Sequence, residues 1–108
     1  MTQEATIFGM QAELYLAMGH AIRLKIVYLL LKEGPKRVNS IAESLEINQT
    51  TISRHLALLR NVGILTARRQ GTDMIYQIAS PKIVSVCDLM RDMLAERESQ
   101  RSEIAQKM

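Results

Sequence analysis

One cysteine stands among 108 residues. A single thiol excludes an intrachain disulfide framework and fits a reducing cytoplasm. No apolar run approaches the roughly 18 residues of a membrane-spanning helix, so no membrane association is expected. The opening Met1-Thr2-Gln3-Glu4 lacks the basic start of a secretory signal. There is no internal repeat and no low-complexity segment. Histidine occurs twice, as His20 and His55. A lone His at the edge of an apolar helix face is more often a hydrogen-bonded boundary residue than a metal ligand. Cys87 has no His or carboxylate in plausible reach along the sequence, which argues against a cysteine nucleophile and against an enzyme.

What is present suits one small domain spanning residues 1–108. Hydrophobic residues make up 47% of the chain, enough for a core. A domain this small gains from dimerisation, which buries further apolar surface. The net charge is +3, and it is concentrated. Residues 36–72 hold six bases against two acids, a net of +4, whereas residues 73–108 hold six acids against five bases. A basic block of this kind is the electrostatic footprint expected for a phosphate backbone.

The block has internal order. Ser40-Ile41-Ala42-Glu43 has the S-x-x-E form of a capping box and predicts a helix start. Glu46-Ile47-Asn48 reads as a tight turn, with Asn48 as the N-cap of the next helix. That helix is expected from about Gln49 to Val62, ended by Gly63. At about 100° per residue, Ile52, Leu56 and Leu59 share one stripe. Thr50, Ser53, Arg54, Ala57 and Asn61 lie opposite. Small polar side chains let a helix approach a groove closely, and Arg can bond guanine bidentately. Within the stretch from Leu65 to Ile78, two β-capable runs then surround a turn containing Gly71 and Asp73, a hairpin signal. Arg68 and Arg69 sit just before its tip. A helix-turn-helix followed by a basic hairpin is a winged helix: the helix enters the major groove, and the wing meets the backbone or minor groove. The candidate DNA-binding set is Asn48, Gln49, Thr50, Thr51, Ser53, Arg54, Arg60, Arg68, Arg69, Gly71 and Thr72.

The flanks read as helices. Residues about 4–18 carry Ile7, Met10, Leu14 and Met18 in helical register, broadened by Phe8 and Tyr15. That face is wide enough to serve a core, a subunit interface or both. Residues about 20–32 place Ile22, Ile26, Leu29 and Leu30 inward, and Gly34-Pro35 ends the helix. Ser80-Pro81 opens a last helix, expected over about 81–98. Ile83, Cys87, Met90 and Leu94, flanked by Val86 and Met93, form an apolar stripe on it that a second subunit would bury. From Ala95 onward polar residues dominate, so fraying is expected there.

Thr51-Ile52-Ser53-Arg54-His55-Leu56, with Leu59, Gly63-Ile64-Leu65, Arg68-Arg69, Gly71 and Tyr76, resembles the ArsR family of bacterial winged-helix repressors. Gly19-His20-Ala21-Ile22-Arg23-Leu24-Lys25-Ile26 is similar to that family's second helix, with Ala21 where Pro is frequent. The resemblance covers about residues 16–78. It implies a mainly α winged helix-turn-helix of four helices, a small β-hairpin and a fifth helix. It also implies a homodimer through the first and last helices, bound to double-stranded DNA at an inverted-repeat operator, and a cytoplasmic repressor. For Arg23 it implies a phosphate contact or a structural pairing.

The resembled sensors' ligand positions are vacated here. A C-x-C run at the third helix falls at about Arg37-Val38-Asn39. A D-x-H…H-x-x-E pattern on the last helix falls at Ser80-Pro81-Lys82 and at about Met93 and Glu96. No zinc site of either type is expected, and no cofactor. The redox branch pairs a second-helix cysteine with one on the last helix. Tyr28 stands at about the first position and only Cys87 at the second. An intrasubunit disulfide switch is therefore impossible. Cys87 is expected to be a small buried hydrophobe, with an intersubunit thiol sensor as the alternative. The competing function is a winged-helix interaction module for protein or RNA, in which Arg54, Arg68 and Arg69 would read no bases.

Overall fold

Three side chains on one helix stripe, Ile52, Leu56 and Leu59, have no exposed surface. The rest of the chain is arranged around them. The computed structural model describes residues 3–107. Its elements are α1 (Gln3–Met18), α2 (Ala21–Glu33), β1 (Lys36–Arg37), α3 (Val38–Leu45), α4 (Gln49–Asn61), β2 (Leu65–Gln70), β3 (Asp73–Ile78) and α5 (Lys82–Lys107). Ile26, Val27 and Leu30 of α2, Ile41 and Ala42 of α3, and Leu65 at the base of the wing complete the core around the α4 stripe.

The sheet is antiparallel, in the order β1-β3-β2. Its main part is the expected hairpin, with Leu65 opposite Ile78 and Gln70 opposite Asp73. The loop is thus only Gly71-Thr72. Asp73 opens β3 instead of lying in the turn. Gly71 has a φ of +65°, the left-handed conformation that a two-residue hairpin asks of its loop and that Gly adopts without steric cost.

β1 was not anticipated. It is two residues long, pairing Lys36 with Tyr76 and Arg37 with Ile75. It also overturns the capping box. Because β3 holds Lys36-Arg37 extended, the chain enters α3 directly at Val38, with Arg37 at the N-cap and no side-chain cap bond. Ser40 lies inside the helix, and its own N–H is taken by Asn39 Oδ1 at 3.1 Å. α3 ends at Glu46 in the left-handed conformation, φ 55°, where the backbone N–H of Ile47 bonds Ala42 O at 3.0 Å.

The terminal helices barely touch this body. On α1, Ala17 is buried and Met18 half-buried, while Ile7, Phe8, Met10, Leu14, Tyr15 and Leu16 are exposed. α1 is thus not a core helix of one chain. On α5, Cys87 is buried and Ile83 half-buried, while Val86, Leu89, Met90, Met93 and Leu94 are exposed. Ser80 Oγ accepts from Lys82 N at 3.3 Å and starts α5 as expected. The helix runs on to Lys107, about nine residues beyond the expected end. The apolar stripe stops at Leu94, but the Glu, Arg, Gln and Lys that follow are strong helix formers. Among the described residues, no single helix is long and apolar enough to cross a membrane.

Candidate nucleic-acid interface

The stripe that α4 buries dictates the face it shows. Asn48 Oδ1 accepts from Thr50 N at 2.7 Å and from Thr51 N at 3.4 Å. This cap satisfies two of the orphan amides of the first turn. Gln49 and Thr50 stand exposed beside it, and Thr51 is half-buried. Ser53, Arg54, Ala57 and Arg60 continue the exposed side. No ion pair to Arg54, Arg60 or Arg69 occurs among the described residues. Their charges are therefore uncompensated, on a helix whose N-terminal end is also electropositive.

The wing separates its two arginines. Successive side chains of a strand point to opposite faces. Arg69 is opposite Met74, on the face of Tyr76, which lines a cleft with Ala57, Arg60 and Asn61 of α4. Arg68 is opposite Ile75, on the other face, which Arg37 shares because it pairs with Ile75 from β1; the cleft there is also lined by Ser40 of α3. Arg68 Nη1 donates to Gln70 Oε1 at 3.4 Å.

Arg37 is a basic residue outside the expected DNA-binding set. It lies on the edge strand β1, opposite Ile75 of β3, with Nε 3.3 Å from Asp73 Oδ2. Lys36 is paired with Glu33 at 3.0 Å. A two-residue strand has no periodicity to detect, so only the dense positive charge hinted at a role.

Arg23 takes the structural alternative. Its Nε donates to Ala17 O at 2.6 Å and its Nη2 to Leu16 O at 3.3 Å, closing the end of α1. Its Nη1 lies 3.3 Å from His55 Nδ1. A guanidinium has no acceptor, so His55 must accept there. His20 caps α2, its Nδ1 accepting from Ile22 N at 3.2 Å. The two imidazole rings lie 4.7 Å apart. Burial first, then the neighbouring His20 and Arg23, hold the His55 pKa below its ordinary value.

Cys87 is 4% exposed, within the core cluster. Among the described residues, no three His, Cys, Asp or Glu side chains converge as a metal site.

This geometry has relatives. The profile for bacterial regulatory proteins of the arsR family matches residues 20–67. An uncharacterized HTH-type transcriptional regulator of Mycobacterium tuberculosis is 30% identical over 95 residues, covering 88% of this chain and 83% of the relative. The transcriptional repressor PagR of Bacillus anthracis is 38% identical over 79 residues, covering 73% of this chain and 79% of PagR. The homodimeric winged helix-turn-helix DNA-binding domain of a possible ArsR-family regulator from Mycobacterium bovis, solved by NMR, is similar with a TM-score of 0.83. Its identity is 29%, and the match covers 93% of this chain and 92% of that one. The winged helix-turn-helix is thus an architecture that this chain shares with them, and the chain belongs to the ArsR family of bacterial DNA-binding transcriptional regulators.

Proposed function

We propose that two copies of this chain, joined through α1 and α5, occupy an inverted-repeat operator on double-stranded DNA and repress transcription from it in the cytoplasm. The observation that carries this reading is the exposed face of α4, where small polar side chains alternate with arginines that have no acidic partner among the described residues. Thr50, Ser53 and Ala57 leave room for close approach to base edges, and Arg54 supplies a bidentate donor for guanine. Arg60, Arg68, Arg69 and the Gly71-Thr72 tip meet phosphates and set register. The uncovered apolar faces of α1 and α5 support the dimer. A two-fold protein matches a two-fold site with half-sites about one helical turn apart. No cofactor enters this function. Cys87, being buried, serves packing; a thiol-reactive signal would have to act on it.

The test is selection of bound duplexes from a random DNA pool by the purified protein. The expected result is an enriched inverted repeat whose affinity falls steeply with salt. Recovery of no preferred duplex, with equal binding of structured RNA, would replace this reading with that of a general interaction module.

A further inference from the structure

α1 meets α2 at 87° across the short joint Gly19-His20. Little apolar packing holds that angle: among the described residues of α1 only Ala17 is buried, with Met18 half-buried beside it. One side chain spans the joint from α2 to α1, while His20 within the joint packs its ring against that of His55, centroids 4.7 Å apart. Arg23 reaches back from the first turn of α2 to two carbonyls at the end of α1, Ala17 O and Leu16 O, and outward to His55 of α4. Both carbonyls belong to the last turn of α1, whose oxygens lack i+4 partners within the helix; Leu16 O also accepts from Gly19 N at 3.2 Å. They also form the negative pole of the helix, so a cation there makes charge-assisted bonds. His55 directly follows Arg54, the residue on the exposed side of α4.

We propose that Arg23 is a positioning residue that fixes the angle between the dimerisation helix and the recognition helix, and thereby the half-site spacing that the dimer accepts. The inference rests on the dimeric operator-binding reading above. Its scale follows from lever length. α1 has 16 residues, so it is about 24 Å long. A swing of about 10° at the joint displaces its far end by about 4 Å. That compares with the roughly 3.4 Å rise between base pairs. Loosening the joint by this amount therefore relaxes spacing by about one base pair.

The experiment uses the full chain and the duplexes recovered from the random pool, rebuilt with their half-sites moved together or apart by one or two base pairs. Wild-type affinity should fall at least tenfold per step. For Arg23→Gln the drop should shrink to threefold or less, while affinity for a single half-site stays within twofold of wild type. Arg23→Lys, which can hold one carbonyl but not three acceptors in a planar fork, should lie between. If Arg23→Gln does not fold, His55→Leu removes only the α4 leg and should still flatten the profile. A mutant spacing profile that superimposes on the wild-type one overturns the proposal, as does a half-site affinity that falls as far as that of the full operator. A wild-type protein that enriches no inverted repeat overturns the operator reading itself, which is a separate result.

Discussion

The hydroxyl of Tyr28 on α2 donates to the backbone carbonyl of Cys87 on α5 at 3.2 Å. Arg91, one turn further along α5, lies over the Tyr28 ring at 3.8 Å from its centroid. Burial, then the contact with Cys87, pushes the tyrosine pKa above its ordinary value. This tie docks the base of α5 on the body and surrounds the only thiol. Tyr28→Phe should lower stability by about 0.5–1.5 kcal/mol, the net worth of one hydrogen bond. Denaturant melts measure it.

Cys87→Ser should leave operator affinity within twofold and lower stability by about 1–3 kcal/mol, because a hydroxyl is buried where a thiol packed. Thermal melts and binding, each with and without oxidant, separate packing from sensing. Reversible loss of binding by oxidised wild type, with an unresponsive mutant, would make this residue the switch.

Arg54→Ala should relax base preference by about 1–3 kcal/mol at the contacted position. Arg68→Ala should instead weaken all duplexes evenly and reduce the salt slope by about one. Salt titrations on matched and mismatched duplexes decide it. Intact preference in the first mutant and lost preference in the second would reverse the assignment.

Stability should fall in mild acid. His55 has a lowered pKa in the folded chain, so the unfolded chain binds the proton more tightly. Its contribution is fully present above the ordinary value of about 6.5 and is lost as pH falls through the depressed folded value. Denaturant melts between pH 5 and 8 should show this slope for wild type and a flatter one for His55→Gln. Equal slopes would show that His55 is not the group responsible.

Phe8→Glu and Met93→Glu should each produce a folded monomer. Both side chains are largely exposed in one chain, at 68% and 63%, so neither supports the core. Sedimentation should show dissociation of both mutants at concentrations where wild type is dimeric. Dimers of undiminished affinity would move the interface elsewhere.

What the sequence disclosed follows physical range. Ile52, Leu56 and Leu59, Asn48 as a cap and Gly71 in the hairpin loop were legible because each depends on neighbours within a few residues. Ser40 and Glu43 misled for the same reason: their pattern is local, and the pairing of Lys36-Arg37 with β3, nearly forty residues on, overrides it. Arg23 was left between two roles because its partners lie behind it on α1 and 32 residues ahead on α4. Helix periodicity placed Cys87 on an apolar stripe, but not the Tyr28 bond to its carbonyl. Glu46 gave no sign of its positive φ, since the tight turn between α3 and α4 imposes it.

The bare apolar faces of α1 and α5 have a thermodynamic consequence. Whatever covers them binds the native chain and not the unfolded one, and so raises stability by mass action. When the covering molecule is a second copy, the ligand concentration is that of the protein itself. The melting temperature then climbs with protein concentration, and dilution lowers it toward that of the isolated folded chain.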